Sequence, residues 1–289
     1  MTSNNVFDTN PPAPRVVVTN EKVTGPPAAE MLRRSGIATS DKIGISILDN
    51  ACGGGILTAE ALALAKQHPD TMKLGRIVAG DIDEKMLGYV RSKREDPVQQ
   101  DEWRRVGVMN IDQQDIPFPE ASFTHVFSNM GIFFCKDDEK ALAESYRVLS
   151  SSGVAGFTSW KSIAWWSEIA QPAIAQFIPE APALPSPGQL FPSRGWSDPA
   201  AIPAKLGKAG FSNVQVSEYS FTPDVEAVEF AEATGVLVKI VTKRLWSEEE
   251  NAKYADQVEP ALLKYLNERY EAGRWTGKMT AIISVGKKE

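Results

Sequence analysis

Histidine and cysteine are scarce here: the 289 residues include two of each. Cys52 and Cys135 are too few for a disulfide framework, and a reducing, cytoplasmic setting is the expectation. Neither cysteine is spaced with a histidine as zinc ligands are, so no metal is expected. Positive charge is in deficit too. Lys and Arg number 31 against 37 Asp and Glu, a formal net charge of −6, whereas a nucleic-acid partner would need a basic face. Long apolar runs are missing: none approaches the ~18 residues of a membrane span. The opening MTSNNVFDTNPPAPR has no apolar core of the secretory-signal kind. Internal repeats and long low-complexity segments are absent. What is present is a 43% hydrophobic chain, enough for a large core.

Residues 43–58, IGISILDNACGGGILT, organise the rest. The first half is apolar and β-branched, as a strand buried on both faces is. The second half is a turn of small residues, Ala51, Cys52, Gly53, Gly54 and Gly55, followed by helical composition. Strand, glycine turn and helix open a nucleotide-binding α/β sheet. Glycines let the backbone come close to a ligand, and the helix start offers unpaired N–H groups and a positive dipole end. Cys52 reads as a small volume within the turn. The dinucleotide fingerprint wants a third glycine where Thr58 stands, so that pattern fails.

Further strands are predicted over residues 77–80, 106–111, 123–127 and 153–160, alternating with helices after Asp83 and around 139–149. This alternation argues for a doubly wound, mostly parallel sheet. Residues 1–14 read as a flexible arm, and 15–36 as a short segment followed by a helix. Beyond Trp160 the rhythm changes: 161–196 is rich in aromatics and proline. Asp198-Pro199 predicts a helix start, 214–221 a strand, 225–245 and 247–272 helices, and 278–285 a last strand.

The spacing Asp49-x-Ala51-x-Gly53-x-Gly55 resembles the first motif of class I S-adenosylmethionine (SAM) methyltransferases, with alanine in place of the first glycine. Asp112-Gln113-Gln114-Asp115-Ile116-Pro117-Phe118-Pro119 before Ser122-Phe123 resembles the D-A-x-x-L-P-F-x-x-x-S-F signature of the ubiquinone-biosynthesis (type 11) group. LDNACGxG, FTHVF and the aromatics after the fifth strand are most similar to fungal secondary-metabolite enzymes of the gliotoxin thiomethyltransferase type. The resemblance implies a Rossmann-like α/β fold: a seven-stranded, mostly parallel sheet with an antiparallel last strand. It also implies a single domain over 15–289 with helical lid segments near 15–36, 161–197 and 222–275.

It further implies SAM as cofactor and S-adenosylhomocysteine as product. Asp49, Asn50, Ala51, Gly53, Gly55, Ser128 and Asn129 would line the methionine part. Asp81 would accept from the ribose hydroxyls, Ile82 and Met86 would pack on adenine, and Asp112 with the Gln113 backbone would meet the adenine edge. Arg15 and Thr24 echo an N-terminal R-x-x-x-T-E-x-x-T-G pattern and would close over the carboxylate. No catalytic base is assigned; Asn129, Met130 and Trp160 are positioning candidates. Trp160, Trp165, Phe191 and Trp196 would line an apolar substrate pocket, their packing in a core being the other reading. His125 alternates with Phe123 and Phe127 along a strand and reads as a buried structural histidine.

The expected activity is methyl transfer to a small, largely apolar secondary metabolite, on sulfur or oxygen, by a monomer or homodimer. A SAM-binding enzyme of pericyclic chemistry, or a non-catalytic partner subunit, is the alternative.

Overall fold

Strand order, more than strand count, fixes where this molecule can act. The computed structural model describes residues 14–39, 44–270 and 273–289. The start of the expected arm (residues 1–13), Ile43 and residues 271–272 lie outside the described residues. The chain divides into two compact units. The larger comprises Thr24–Lys161, Phe191–Tyr219 and Ala281–Glu289; the smaller comprises Ser162–Leu190, Ser220–Thr280 and the described residues up to Val23. The three segments read as lid overlap the smaller unit, but residues 24–36 and 191–197 group with the larger one.

The larger unit is built on seven strands: β1 (Ile45–Asn50), β2 (Leu74–Asp81), β3 (Val106–Asn110), β4 (Phe123–Ser128), β5 (Leu149–Ser162), β6 (Ser212–Phe221) and, numbered past two short strands of the other unit, β9 (Met279–Lys287). Their order is β3-β2-β1-β4-β5-β9-β6. β1, β2, β3, β4 and β5 pair in parallel. Ser284 Oγ donates to the Phe157 carbonyl at 3.0 Å and Lys288 N to the Gly153 carbonyl at 3.0 Å, so β9 runs against β5. The mostly parallel sheet with a reversed strand is thus present as expected.

Helices α2 (Ile56–Gln67), α3 (Glu84–Glu95), α4 (Gln100–Trp103), α5 (Asp138–Val148) and, further along, α7 (Ile202–Lys208) accompany these strands. Asp83 caps α3 by accepting from Lys85 N, and Asp137 caps α5 by accepting from Lys140 N. The core packs Ile45, Ile47, Ile77, Ala79, Phe127, Leu57, Ala61, Leu87 and Val90. β1, buried on both faces, is apolar without alternation because helices cover a parallel sheet on both sides.

Three local expectations need correction, the third of them in the smaller unit. Residues 14–35 form one helix, α1 (Pro14–Ser35), with Pro26 and Pro27 inside it. Proline argues for a helix boundary because it withholds an N–H. Here the burial of Ala28, Met31 and Leu32 against the sheet outweighs that loss. Second, α7 starts at Ile202, with Pro203 in its first turn; Asp198 instead closes a turn by accepting from Ala200 N.

The smaller unit is helical. A wide π-type turn at Trp165–Ala170 leads into α6 (Gln171–Phe177); α8 (Ala227–Leu245), α9 (Glu248–Tyr254) and α10 (Val258–Arg269) follow. The stretch read as one helix over 247–272 is therefore broken after Tyr254. A two-stranded ribbon of β7 (Val225–Glu226) and β8 (Arg274–Trp275), missed in the sequence, places Trp275 flat on Phe230, centroids 4.3 Å apart. Arg15 and Lys22 on α1 pair with Glu232 and Glu229 on α8. Among the described residues no helix is long and apolar enough to cross a membrane.

Candidate active site

Sequential strands run outward from β1 to β3 and then return to β4 on the other side of β1. The crevice at such a reversal, beyond the carboxyl ends of the strands, is where open α/β sheets bind ligands. In register, Asn50 pairs with Gly80, Asp81 with Asn110, and Ser128 with Phe157, so these ends form one rim.

The glycine turn hangs from that rim. Cys52 N donates to the Gly80 carbonyl at 2.9 Å and Gly53 N to Asp81 Oδ2 at 2.8 Å. Ala51, Gly53 and Gly55 have φ of 67°, 53° and 91°. Positive φ at Ala51 explains why glycine is usual there; an alanine in this region carries strain. A Cβ on Gly55 would meet the Trp103 ring at 3.0 Å, so this glycine also lets α4 pack close.

Polar groups converge on the turn. Asp49 is wholly buried; its Oδ2 accepts from Thr58 N and Oγ1, and its Oδ1 has no partner. Burial pushes its carboxyl up to about 7. Asn50 is equally buried, with neither amide atom paired. Asp81 Oδ1 accepts from Asp83 N at 2.8 Å while Oδ2 holds Gly53, so this carboxylate staples two loops. Burial raises its pKa against those two bonds. Ile82 follows with half its surface exposed, 50%, and Met86 is half-buried. An apolar side chain is thus left open beside the Asp81 carboxylate.

The 112–119 loop is shaped by its own bonds and pinned from α5. Asp112 Oδ1 accepts from Gln114 N at 2.8 Å. Glu144 accepts from Ile116 N at 2.8 Å, and Arg147 donates to the carbonyls of Phe118 and Ile116 at 2.7 and 2.8 Å. The Arg147 guanidinium holds the Glu144 carboxyl below its ordinary range. This grip of Arg147 on the loop is invisible in the sequence because its partners lie about thirty residues upstream.

At the end of β4, Ser128 Oγ donates to Gln113 Oε1 at 2.8 Å. Asn129 Nδ2 donates to the Thr24 carbonyl at 3.1 Å, and its Oδ1 accepts from Thr158 Oγ1 at 2.7 Å. Thr158 Oγ1 also accepts from Met130 N at 2.8 Å, with Met130 at φ 55°. Thr158 was missed in the sequence, lying inside an apolar strand without a motif. The structure therefore brings Asp49, Asn50, Ala51, Gly53, Gly55, Asp81, Ile82, Asp112, Gln113, Ser128, Asn129 and Met130 to one rim, with Thr24 beside Asn129. Arg15 lies in the smaller unit, bound to Glu232.

The aromatics separate. Trp160 ends the buried part of β5. Phe191 packs on Phe133 and Phe134, centroids 4.4 and 5.0 Å away, just past Gly131. Trp196 donates its indole N–H to Asp138 Oδ2 at 2.7 Å and packs on Phe157. Trp165 sits in the smaller unit, edge-on to a buried Trp166. His125 is buried mid-strand, Nδ1 on Thr124 Oγ1 and ring stacked on Phe127. The Cys52 thiol is pushed well above its ordinary range, chiefly by burial, and Cys135 to about 12 for the same reason. Neither is a nucleophile near neutral pH.

Residues 48–157 match the family described as a methyltransferase domain. Methyltransferase tpcH of Aspergillus fumigatus is 28% identical over 90% of this chain and 91% of its own. Acetylaranotin bis-thiomethyltransferase of Aspergillus terreus is 29% identical over 87% of this chain and 85% of its own. Among solved structures, the YcgJ protein of Bacillus subtilis superposes with a TM-score of 0.54 at 13% identity, over 91% of this chain and 98% of that one.

Proposed function

We propose that this chain, whose residues 48–157 match the methyltransferase domain family, uses SAM to methylate a sulfur of a small, largely apolar metabolite. One observation carries the cofactor reading. Asp49 Oδ1 and both amide atoms of Asn50 are buried without partners beneath a glycine turn held at positive φ. Buried polar atoms are nearly always paired. An unpaired acid and amide beneath this turn fit the ammonium and polar groups of an amino-acid portion. Asp81, with lone pairs left beyond its two loop bonds, fits ribose hydroxyls, and the exposed Ile82 fits adenine.

When bound, SAM supplies a methyl group already activated by a sulfonium. The protein's part is alignment, which can be worth ~7–11 kcal/mol. Asn129 and Met130, fixed by Thr158, are the positioning residues. Trp160 and Phe191 are the candidate apolar contacts for the acceptor.

Sulfur is favoured by the acid–base inventory. His125 is enclosed in β4 and both thiols are held protonated. A thiol acceptor ionises near neutral pH and needs little help from a base. The similarity to a bis-thiomethyltransferase points the same way. The test is calorimetry with S-adenosylhomocysteine, then incubation with methyl-labelled SAM and matched thiol and phenol acceptors. Binding with label on the thiol is expected. Absence of binding would overturn the cofactor reading, and label on the phenol alone would overturn the sulfur preference.

A further inference from the structure

Gln113 stands where the resembling signature has alanine, and its side chain does something an alanine cannot. It reaches from the 112–119 loop to the end of β4, where Oε1 accepts from Ser128 Oγ at 2.8 Å. The residue is only 9% exposed. Its Nε2 has no hydrogen-bond partner among the described residues.

Gly131 lies beside this carboxamide and makes room for Ala51 and Ser128. A Cβ there would stand 3.4 Å from Gln113 Nε2, 2.8 Å from Ser128 Oγ and 2.5 Å from Ala51 Cβ. Nε2 therefore lies close to the glycine turn, at the level of Ala51. An amide with its oxygen fixed by a hydroxyl has a fixed nitrogen, so the two N–H bonds point in set directions. A nearly buried donor without an acceptor is costly to leave unmade.

We propose that Gln113 is a positioning residue for the bound donor, Ser128 orienting its carboxamide so that Nε2 donates to an acceptor oxygen of the adenosyl amino acid. The proposal rests on the cofactor reading above and adds to it a side-chain contact beyond the backbone contact of this loop. It also accounts for three small or polar residues, Ala51, Ser128 and Gly131, meeting at one point.

The experiment is calorimetric titration of the full-length protein and two variants with S-adenosylhomocysteine. Gln113→Glu keeps an oxygen for Ser128 but removes the donor and adds negative charge; Gln113→Ala removes both. The expected result is about tenfold weaker binding for Gln113→Ala, the size of one lost hydrogen bond to a ligand, and at least as large a loss for Gln113→Glu. Wild-type affinity in Gln113→Glu, with or without loss in Gln113→Ala, would reduce the residue to a tie between loop and strand and overturn the proposal. Thermal unfolding without ligand checks both variants; should Gln113→Ala not fold, the glutamate variant decides alone. If the unaltered protein does not bind S-adenosylhomocysteine, it is the cofactor reading that fails.

Discussion

Asp49 spends a single carboxylate oxygen on Thr58, accepting from its backbone N–H at 3.1 Å and its hydroxyl at 2.6 Å. The other oxygen is left buried and bare. Thr58, the residue that spoils a dinucleotide fingerprint, is thus the clamp that orients the acid.

That arrangement gives stability a pH dependence. Burial first raises Asp49 to about 7, the Thr58 bonds oppose this, Asp81 adds to it and Lys93 subtracts. An unfolded aspartate titrates near ~3.9. Between those values the folded state holds the extra proton, so stability falls as pH rises from about 4 to about 7, then levels. Asp49→Asn removes this contribution. Between pH 5 and pH 7.5, denaturant titrations should show the wild type losing on the order of 2–3 kcal/mol relative to the variant. Parallel profiles would disprove the burial argument.

Asp81 holds Gly53 N and Asp83 N at once. Asp81→Ala should weaken S-adenosylhomocysteine binding by roughly a hundredfold, since ligand contacts and turn geometry go together, each bond to a charged group being worth ~1.5–3 kcal/mol. Asp81→Asn, which keeps one acceptor oxygen, should fall in between. Calorimetry on both checks this, and equal affinities across the three proteins would remove Asp81 from the site.

Ala51 and Gly131 share one space. The Gly131→Ala methyl would stand 2.5 Å from Ala51 Cβ, and overpacking of this kind costs ~1–3 kcal/mol. Adding Ala51→Gly clears that contact and relieves the positive φ at Ala51. The double variant should recover at least half the loss, leaving the contact of the new methyl with Ser128 Oγ. Additive effects in a double-mutant cycle would show that the two residues do not meet.

Thr158 serves two partners, Asn129 Oδ1 and Met130 N. Thr158→Val keeps the shape but leaves both unpaired, at ~1–3 kcal/mol of stability for a buried group. If Asn129 and Met130 align the reacting groups, kcat should drop by more than tenfold while S-adenosylhomocysteine affinity changes little. A variant as active as wild type would show that β5 only supports the strand end.

Much of the sheet is legible in the sequence because each strand carries its own apolar run and ends on a polar or small residue: Asp49-Asn50, Asp81, Asn110, Ser128. The cap at Asp83 and the glycine turn are local as well, set by residues adjacent in the chain. The full length of helix α1 is not legible, because Pro26 and Pro27 speak locally for a break, whereas the burial of Met31 against the sheet is not a local property. The β7–β8 ribbon joins residues about fifty apart and is too short to leave a periodic pattern.

By itself, then, the sequence determined the parallel strands, the turn of small residues and the methyltransferase-like motifs within residues 48–157, because these depend on composition and spacing within short stretches. Only the tertiary structure decided what the individual side chains do: that Thr58 clamps Asp49, that Arg147 grips the 112–119 loop, that Thr158 sets Asn129, and that Gln113 reaches Ser128. These contacts join residues between nine and thirty-one positions apart, and a hydrogen bond leaves no trace in sequence until folding brings donor and acceptor within about 3 Å of each other.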